Sequence, residues 1–561
     1  PNGGSSSLTV GGNEGPGMLA GLDLAFDVSS DDDPGDQPLV QNIVVMGMPI
    51  NVENNGSWGI LTSGEGDVFL NVDPETNLPM SSAGINVSGN GDPDKVCRIY
   101  TEDGALDLPQ DDCGGGGIGV VSGKLYADAV SVSGNLGPGI AAAGDISLGI
   151  LSATGNQGPG VQSIFGSITI EPVNDESASP DPELFPYIKV EENQGPGLLA
   201  GSGSNFAAEG DADPDEDTPP QTITIKGNIW SRRNGSWGIL STGHGDIFIN
   251  MDPVSKNPLS PGVSEISGNG QAIGCFFIDG EGDLVTPIDE CRSVGIGAAA
   301  GNIHGAGLEV IENQGPGAVA AEDVSLTGVI SNGNAGPGVQ SLFGAIRISI
   351  GGTEKTGILE VMENQGPGIF AGTELGFVTD GESEDGDDES GHGIAITSQI
   401  KVRDNGAWGI LSISGDVFVN VDQDGLRTLP GLISEISGNG NPDLNCLILG
   451  EEGDPVTPED GCNNGGGVGA PGGNVYLARV DIRRNLGLGV AAAEDIEIRG
   501  IEVHYNQGPG IQSLFGSITI APGGGPDEEG IFINNNEGPG IFTGTDTLFD
   551  PGDIENDSEE I

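Results

Sequence analysis

Basic residues are scarce in this chain. Lys and Arg number 18 against 84 Asp and Glu over 561 residues, a formal net charge of −66. So acidic a chain repels phosphate backbones and anionic membranes, which argues against nucleic-acid partners and against docking on acidic lipid. No long apolar run is present and no signal peptide is recognisable, so no segment reads as a membrane span. Extended helical periodicity is missing as well. The six cysteines form no Cys-x-x-Cys pair and have no histidine near them, which disfavours zinc. The uncompensated charge calls for cations or for salt, and suits either calcium loading or a saline habitat.

What the chain has in abundance is repetition. Asn-x-Gly-Pro-Gly followed by an apolar residue opens at Asn13, Asn156, Asn193, Asn313, Asn364, Asn506 and Asn536, with related forms at Asn135, Asn334 and Asn485. Asn-Gly turns at Asn55, Asn90, Asn234, Asn269, Asn405 and Asn439 bring the set to sixteen. The tightest spacing is 21 residues, from Asn135 to Asn156, Asn313 to Asn334 and Asn485 to Asn506. A longer period is superposed: Trp58, Trp237 and Trp408 sit in copies of one Asn-Gly-(Ser/Ala)-Trp-Gly-Ile-Leu segment, 179 and then 171 residues apart. The chain thus divides into blocks 1–184, 185–355 and 356–525 of five turns each, and 526–561 begins a fourth and ends in an acidic tail. Each block carries an acidic loop, a loop closed by two cysteines, and a loop after an apolar β-type run. A fixed period of this kind reads as a solenoid.

The 101 glycines and 36 prolines would suit a disordered chain, but they are periodic and bracket strand-length runs such as Gly-Val-Gln-Ser-Ile-Phe-Gly-Ser-Ile-Thr-Ile. A coil of about 21 residues with two or three short strands is what a parallel β-helix requires, each strand pairing with its copy one coil on, about 4.8 Å away. Sixteen coils make a rod on the order of 75 Å long. Glycine at the corners supplies positive φ, asparagine tolerates the left-handed region, and proline stiffens the corner and removes a donor. Stacked asparagines form a ladder in which each bonds its neighbours.

The Asn-x-Gly-x-Gly-apolar corner followed by a short strand, recurring from Asn13 to Phe549, resembles the right-handed parallel β-helix repeat of the pectate-lyase-like superfamily. The resemblance implies an all-β, right-handed parallel β-helix of about 16 coils. It says little about function, since the superfamily holds polysaccharide lyases, hydrolases, esterases, tailspikes and adhesins. Three near-copies with matched cysteine loops look more like a surface or fibre protein than an enzyme.

Cys97 and Cys113, Cys275 and Cys291, and Cys446 and Cys462 are each 16 residues apart, which reads as three local disulfides and an oxidising, extracellular or cell-surface setting. Each closure contributes about 3 kcal/mol in the chain-entropy model. The absence of an initial Met suits a mature secreted protein or a segment of a larger one. Asp67, Asn71 and Asp73 alternate along one strand, with matching sets Asp246, Asn250, Asp252 and Asp416, Asn420, Asp422. Such oxygen-rich faces are candidate calcium sites, sugar- or protein-contact faces, or plain solvated faces. The acidic loops (Asp31–Asp33 and Asp36; Asp211, Asp213 and Asp215–Asp217; Asp385, Asp387, Asp388 and Glu389) match no calcium-loop motif and read as solvated or calcium-condensing. The three tryptophans are expected to pack rather than bind. Catalysis is not expected: bases are few, none of His244, His304, His392 and His504 recurs in all three blocks, and no serine elbow has a supporting histidine. The expectation is a secreted structural protein stacking end to end with itself into a filament, sheath or surface layer, with calcium as stabiliser. Its rival is a surface adhesin or a protein that binds or cleaves polysaccharide.

Overall fold

The computed structural model describes residues 7–21, 40–80, 83–91, 99–100, 106–107, 115–172, 188–202, 220–259, 262–270, 277–278, 284–285, 294–349, 359–373, 393–422, 428–429, 433–440, 448–449, 455–456, 465–522 and 530–544. Among these residues every regular element is a β-strand. Sixteen three-residue strands, from Met18–Ala20 to Ile541–Thr543, form one parallel sheet. The other large sheet has 27 strands. Its pairings trace two columns, joined where the nine-residue strands Leu125–Ser133, Ile146–Thr154, Ile303–Ile311 and Val324–Asn332 run through both. Leu125–Ala127 pairs with Val68–Leu70 in one column, and Val130–Ser133 pairs with Ile85–Ser88 in the other. Among the described residues, antiparallel pairing is confined to small loop hairpins, such as Ile99–Tyr100 against Leu106–Asp107, and to isolated bridges such as Val72 to Pro79.

One pass shows how the chain advances. Ile140–Ala142 lies in the 16-stranded sheet, Ile146–Thr154 crosses the other, a corner follows at Asn156, and Val161–Ser163 lands beside Ile140–Ala142 in parallel register. This is the stacking of a parallel β-helix. The register puts like residues over like: Ile60, Ile118, Ile140, Val161 and Leu198 form one column with 0% exposure. Burying each such side chain stabilises by about 1.5–3 kcal/mol. Strand alternation divides inside from outside, as in Ile50–Glu53, where Ile50 and Val52 are buried and Asn51 and Glu53 half-buried.

The corners are built alike. At all sixteen, the residue before the asparagine has positive φ, from 51° at Arg233 to 73° at Gly12. Seven of these residues are glycine and nine are not, Glu192, Glu312, Arg484 and Tyr505 among them. The left-handed position is therefore one residue earlier than the asparagine, and much of it is not glycine. Each asparagine then donates from Nδ2 to Oδ1 of the next, in an unbroken series from Asn13–Asn55 at 2.7 Å to Asn506–Asn536 at 2.9 Å. The second amide hydrogen meets a strand carbonyl, as from Asn156 to Val132 at 3.3 Å. The glycine that closes the corner is required by proximity: a β-carbon on Gly139 would stand 2.6 Å from the Gly160 carbonyl oxygen and 2.8 Å from Asn156 Nδ2.

Candidate functional site

The three acidic strand sets begin on the outer face of one column. Asp67, Asp246 and Asp416 are half-buried just ahead of Val68–Leu70, Ile247–Ile249 and Val417–Val419. Asp67 Oδ1 accepts the Lys124 backbone N–H at 2.8 Å. Asp246 Oδ1 accepts both the backbone N–H and the side-chain amide of Asn302, at 2.9 and 2.8 Å, and Asp416 repeats this with Asn474 at 2.7 and 2.9 Å. These carboxylates thus order the backbone of the following coil.

The alternation read from sequence does not continue to the second aspartate. Asn71, Asn250 and Asn420 take φ of 58°, 56° and 59°, which ends each strand, and all three are buried. Asn71 Nδ2 donates to the carbonyls of Met48 and Ala83 at 3.2 and 2.7 Å. Asp73 lies in the next turn and accepts the N–H groups of Glu75 and Thr76. Asp252 does the same for Val254 and Ser255, and the Ser255 backbone bond is the main cause that holds its carboxyl below the ordinary range. Asp422 is half-exposed beyond the last of these strands. Within each set, the first aspartate and the asparagine are therefore directed to different partners.

Between the acids lies an aromatic pair. Phe69 stacks on Tyr126 with centroids 5.0 Å apart, and Phe418 on Tyr476 at 4.9 Å. The middle block substitutes a histidine: Phe248 stacks on His304 at 4.9 Å. His304 is 4% exposed, and among the described residues neither ring nitrogen has a hydrogen-bond partner. Its Nε2 is 4.0 Å from Asp246 Oδ2. Burial, reinforced by Lys256, pushes the imidazole pKa down despite the Asp246 and Asp323 charges. The tryptophans do pack: Trp58, Trp237 and Trp408 are at most 3% exposed and lie against Gly119, Gly297 and Gly469 of the following coil.

The other column carries a strip of ion pairs, although Lys124, Lys226 and Arg347 pair with acids along the first. Arg232 pairs with Glu265, Lys401 with Glu360 at 2.9 Å, and Arg403 with Glu435. Arg483 reaches both Glu435 at 2.7 Å and Asp481 at 2.9 Å. Burial alone would push the Glu435 carboxyl up, but the combined pull of Arg403, Arg483 and Ser437 outweighs it and holds the carboxyl below its ordinary range. At the end of this strip, Asp481, Glu502 and His504 each offer one ligand atom, all within 4.8 Å of one another. Parallel pairing sets Glu502 beside Asp481 and His504 beside Arg483. Sequence reading passed over this cluster because His504 has no counterpart in the other blocks. The signal was present: the bare 21-residue coil carries position 481 onto 502 and 483 onto 504.

Cys97, Cys113, Cys275, Cys291, Cys446 and Cys462 and the three acidic loops lie outside the described residues. No protein-family model matches the chain, and neither a curated protein nor a solved structure matches it.

Proposed function

We propose that this chain is a right-handed parallel β-helix of sixteen coils, in three five-coil blocks and the start of a fourth. In this reading it is a secreted structural protein that stacks head to tail into an extracellular filament, sheath or surface layer. The observation that carries the reading is the polarity of the asparagine ladder. Every link runs from Nδ2 of one asparagine to Oδ1 of the next. Asn536 donates to the Val503 carbonyl at 3.2 Å, and its second amide hydrogen has no acceptor among the described residues. Asn13 Oδ1, at the other end, accepts no donor there. A second copy would join Asn536 to Asn13 by the bond already made fifteen times within the chain.

The flanking strands support the same junction. Ile541 stands in register with Ile511, yet it is 49% exposed where Ile511 is 0%. A copy of Met18–Ala20 laid on Ile541–Thr543 would bury it and continue the sheet. Such a heterologous contact does not close on itself and yields a filament. The net charge of −66 opposes it, so calcium or another divalent cation is the expected stabiliser. The half-exposed Tyr126 and Tyr476 rings favour one secondary reading, an adhesin or other surface protein that contacts polysaccharide.

Electron microscopy of the purified protein with calcium and with chelator tests the proposal. Fibres with an axial repeat of about 75 Å, lost on chelation and in an Ile541→Lys variant of unchanged circular dichroism, are expected. Single rods at every protein, salt and calcium concentration would overturn it.

A further inference from the structure

We propose that Asp481, Glu502 and His504 form a binding site for one divalent transition-metal ion of the zinc type. The site is independent of filament formation. The two carboxylates stack on adjacent strands, Val480–Arg483 and Glu502–His504, and the imidazole lies two residues along from Glu502 on the same outward face. His504 Nε2 is 3.8 Å from Asp481 Oδ1, and Nδ1 is 3.9 Å from Glu502 Oε2. Both separations are too long for hydrogen bonds. They involve different ring nitrogens, but one ligand atom from each of the three residues lies within 4.8 Å of the other two, so a modest side-chain adjustment would bring one nitrogen and two carboxylate oxygens to about 2.0–2.2 Å from an ion.

The state of Asp481 is the independent observation. Its Oδ2 is held by Arg483 at 2.9 Å, while its Oδ1 is sealed from solvent and has no hydrogen-bond partner among the described residues. A carboxylate oxygen buried without a donor costs free energy, and a bound cation supplies what is missing. Burial pushes the Asp481 carboxyl up, against the pull of Arg483 and His504. A divalent ion would reverse that by favouring the ionised form. The surrounding charge is suited to it: Arg403 and Arg483 answer Glu435 and one Asp481 oxygen, and among the described residues Glu502 has no basic partner but His504.

The donor set selects the metal. One imidazole and two carboxylates suit zinc, cobalt or manganese, whereas calcium takes six to eight oxygens. The neighbouring blocks lack the site. In the second block Glu309 stands where Asp481 does, but Ile330 and Asn332 replace Glu502 and His504. The ion would staple two consecutive coils, a structural role with water in the remaining position.

The test is calorimetric titration of untagged, full-length protein with Zn²⁺ in millimolar Ca²⁺, which occupies the ordinary surface carboxylates. Co²⁺ absorption reports the geometry. A single Zn²⁺ per chain is expected, with affinity lowered about tenfold or more in both His504→Ala and Asp481→Asn. His244→Ala, at an exposed histidine elsewhere, should bind as the parent does. His504 points outward, so its removal leaves the core intact even if Asp481→Asn misfolds. No saturable binding, or equal affinity in His504→Ala, overturns the proposal.

Discussion

Asn135 Nδ2 donates to Asn156 Oδ1 across 2.9 Å, and the same oxygen accepts the Asn135 backbone N–H at 3.2 Å. One buried side chain therefore satisfies two donors of the preceding coil. Its own amide satisfies Asn193 Oδ1 at 2.8 Å and the Val132 carbonyl. Replacing Asn156 by alanine orphans groups on both sides, each costing about 1–3 kcal/mol when sealed from water. The expected loss in urea unfolding is at least about 3 kcal/mol. Asn536→Ala, at the partly exposed end of the series with a single ladder neighbour, should cost less than half as much. Equal losses at the two sites would mean that the ladder does not stabilise through its continuity.

Gly297 lies under Trp237, and a β-carbon there would overlap the indole Cζ3. Trp237 is 1% exposed and packed among Leu199, Leu240, Val294 and Val319, so it has little room to withdraw. Gly297→Ala should destabilise by about 1–3 kcal/mol and alter tryptophan fluorescence, as overpacking does. Gly84→Ala is the matched control, because a β-carbon at Gly84 meets nothing within 4 Å. That variant should lie within about 0.5 kcal/mol of the parent. Similar losses from both would assign the effect to glycine content in general.

The corner motif made the parallel stacking and the asparagine ladder legible, because each repeat places the same residue at the same step of a coil. The left-handed residue was not. The sequence points to glycine and asparagine for positive φ, yet at seven corners the position holds neither, as at Glu192, Arg484 and Tyr505, whose identities share no signal. Alternation likewise overextended the acidic strands, since a single left-handed residue, Asn71, turns the chain before Asp73. The Asp481, Glu502 and His504 cluster needed the coil period applied to one block rather than a comparison of three. Where function lies in what one block does not share, repeat-based reading hides it.

The charge imbalance predicts a salt response. Raising ionic strength shortens the screening length from about 30 Å at 0.01 M to about 3 Å at 1 M. Repulsion among 84 acidic groups is long-ranged, whereas ion pairs such as Lys401–Glu360 are close and partly buried. Screening should therefore relieve more repulsion than it removes attraction, and Tm should climb steadily with NaCl. A Tm that falls on adding NaCl would show that the ion-pair strip outweighs the net charge.

His304 gives the middle block a pH response that the others lack. It is buried on Phe248, and the charged groups around it are Asp246, Lys256, Asp323 and Arg347. Burial, the largest cause, lowers its folded-state pKa below the unfolded value of about 6.5. Above that pH the ring is neutral in both states and nothing is lost. As pH falls below it, the unfolded chain takes up a proton that the native site resists, and stability drops until the folded pKa is passed. Several carboxyls also titrate at low pH, with Glu309 raised by burial and Asp145 lowered by Lys124 and Ser167 against burial, so the informative quantity is a difference. His304→Tyr, which installs the residue found at Tyr126 and Tyr476, should match the parent near pH ~7.5 and exceed its Tm progressively toward pH ~5. A Tm difference between the two proteins that stays constant across that range would show that His304 does not carry the response.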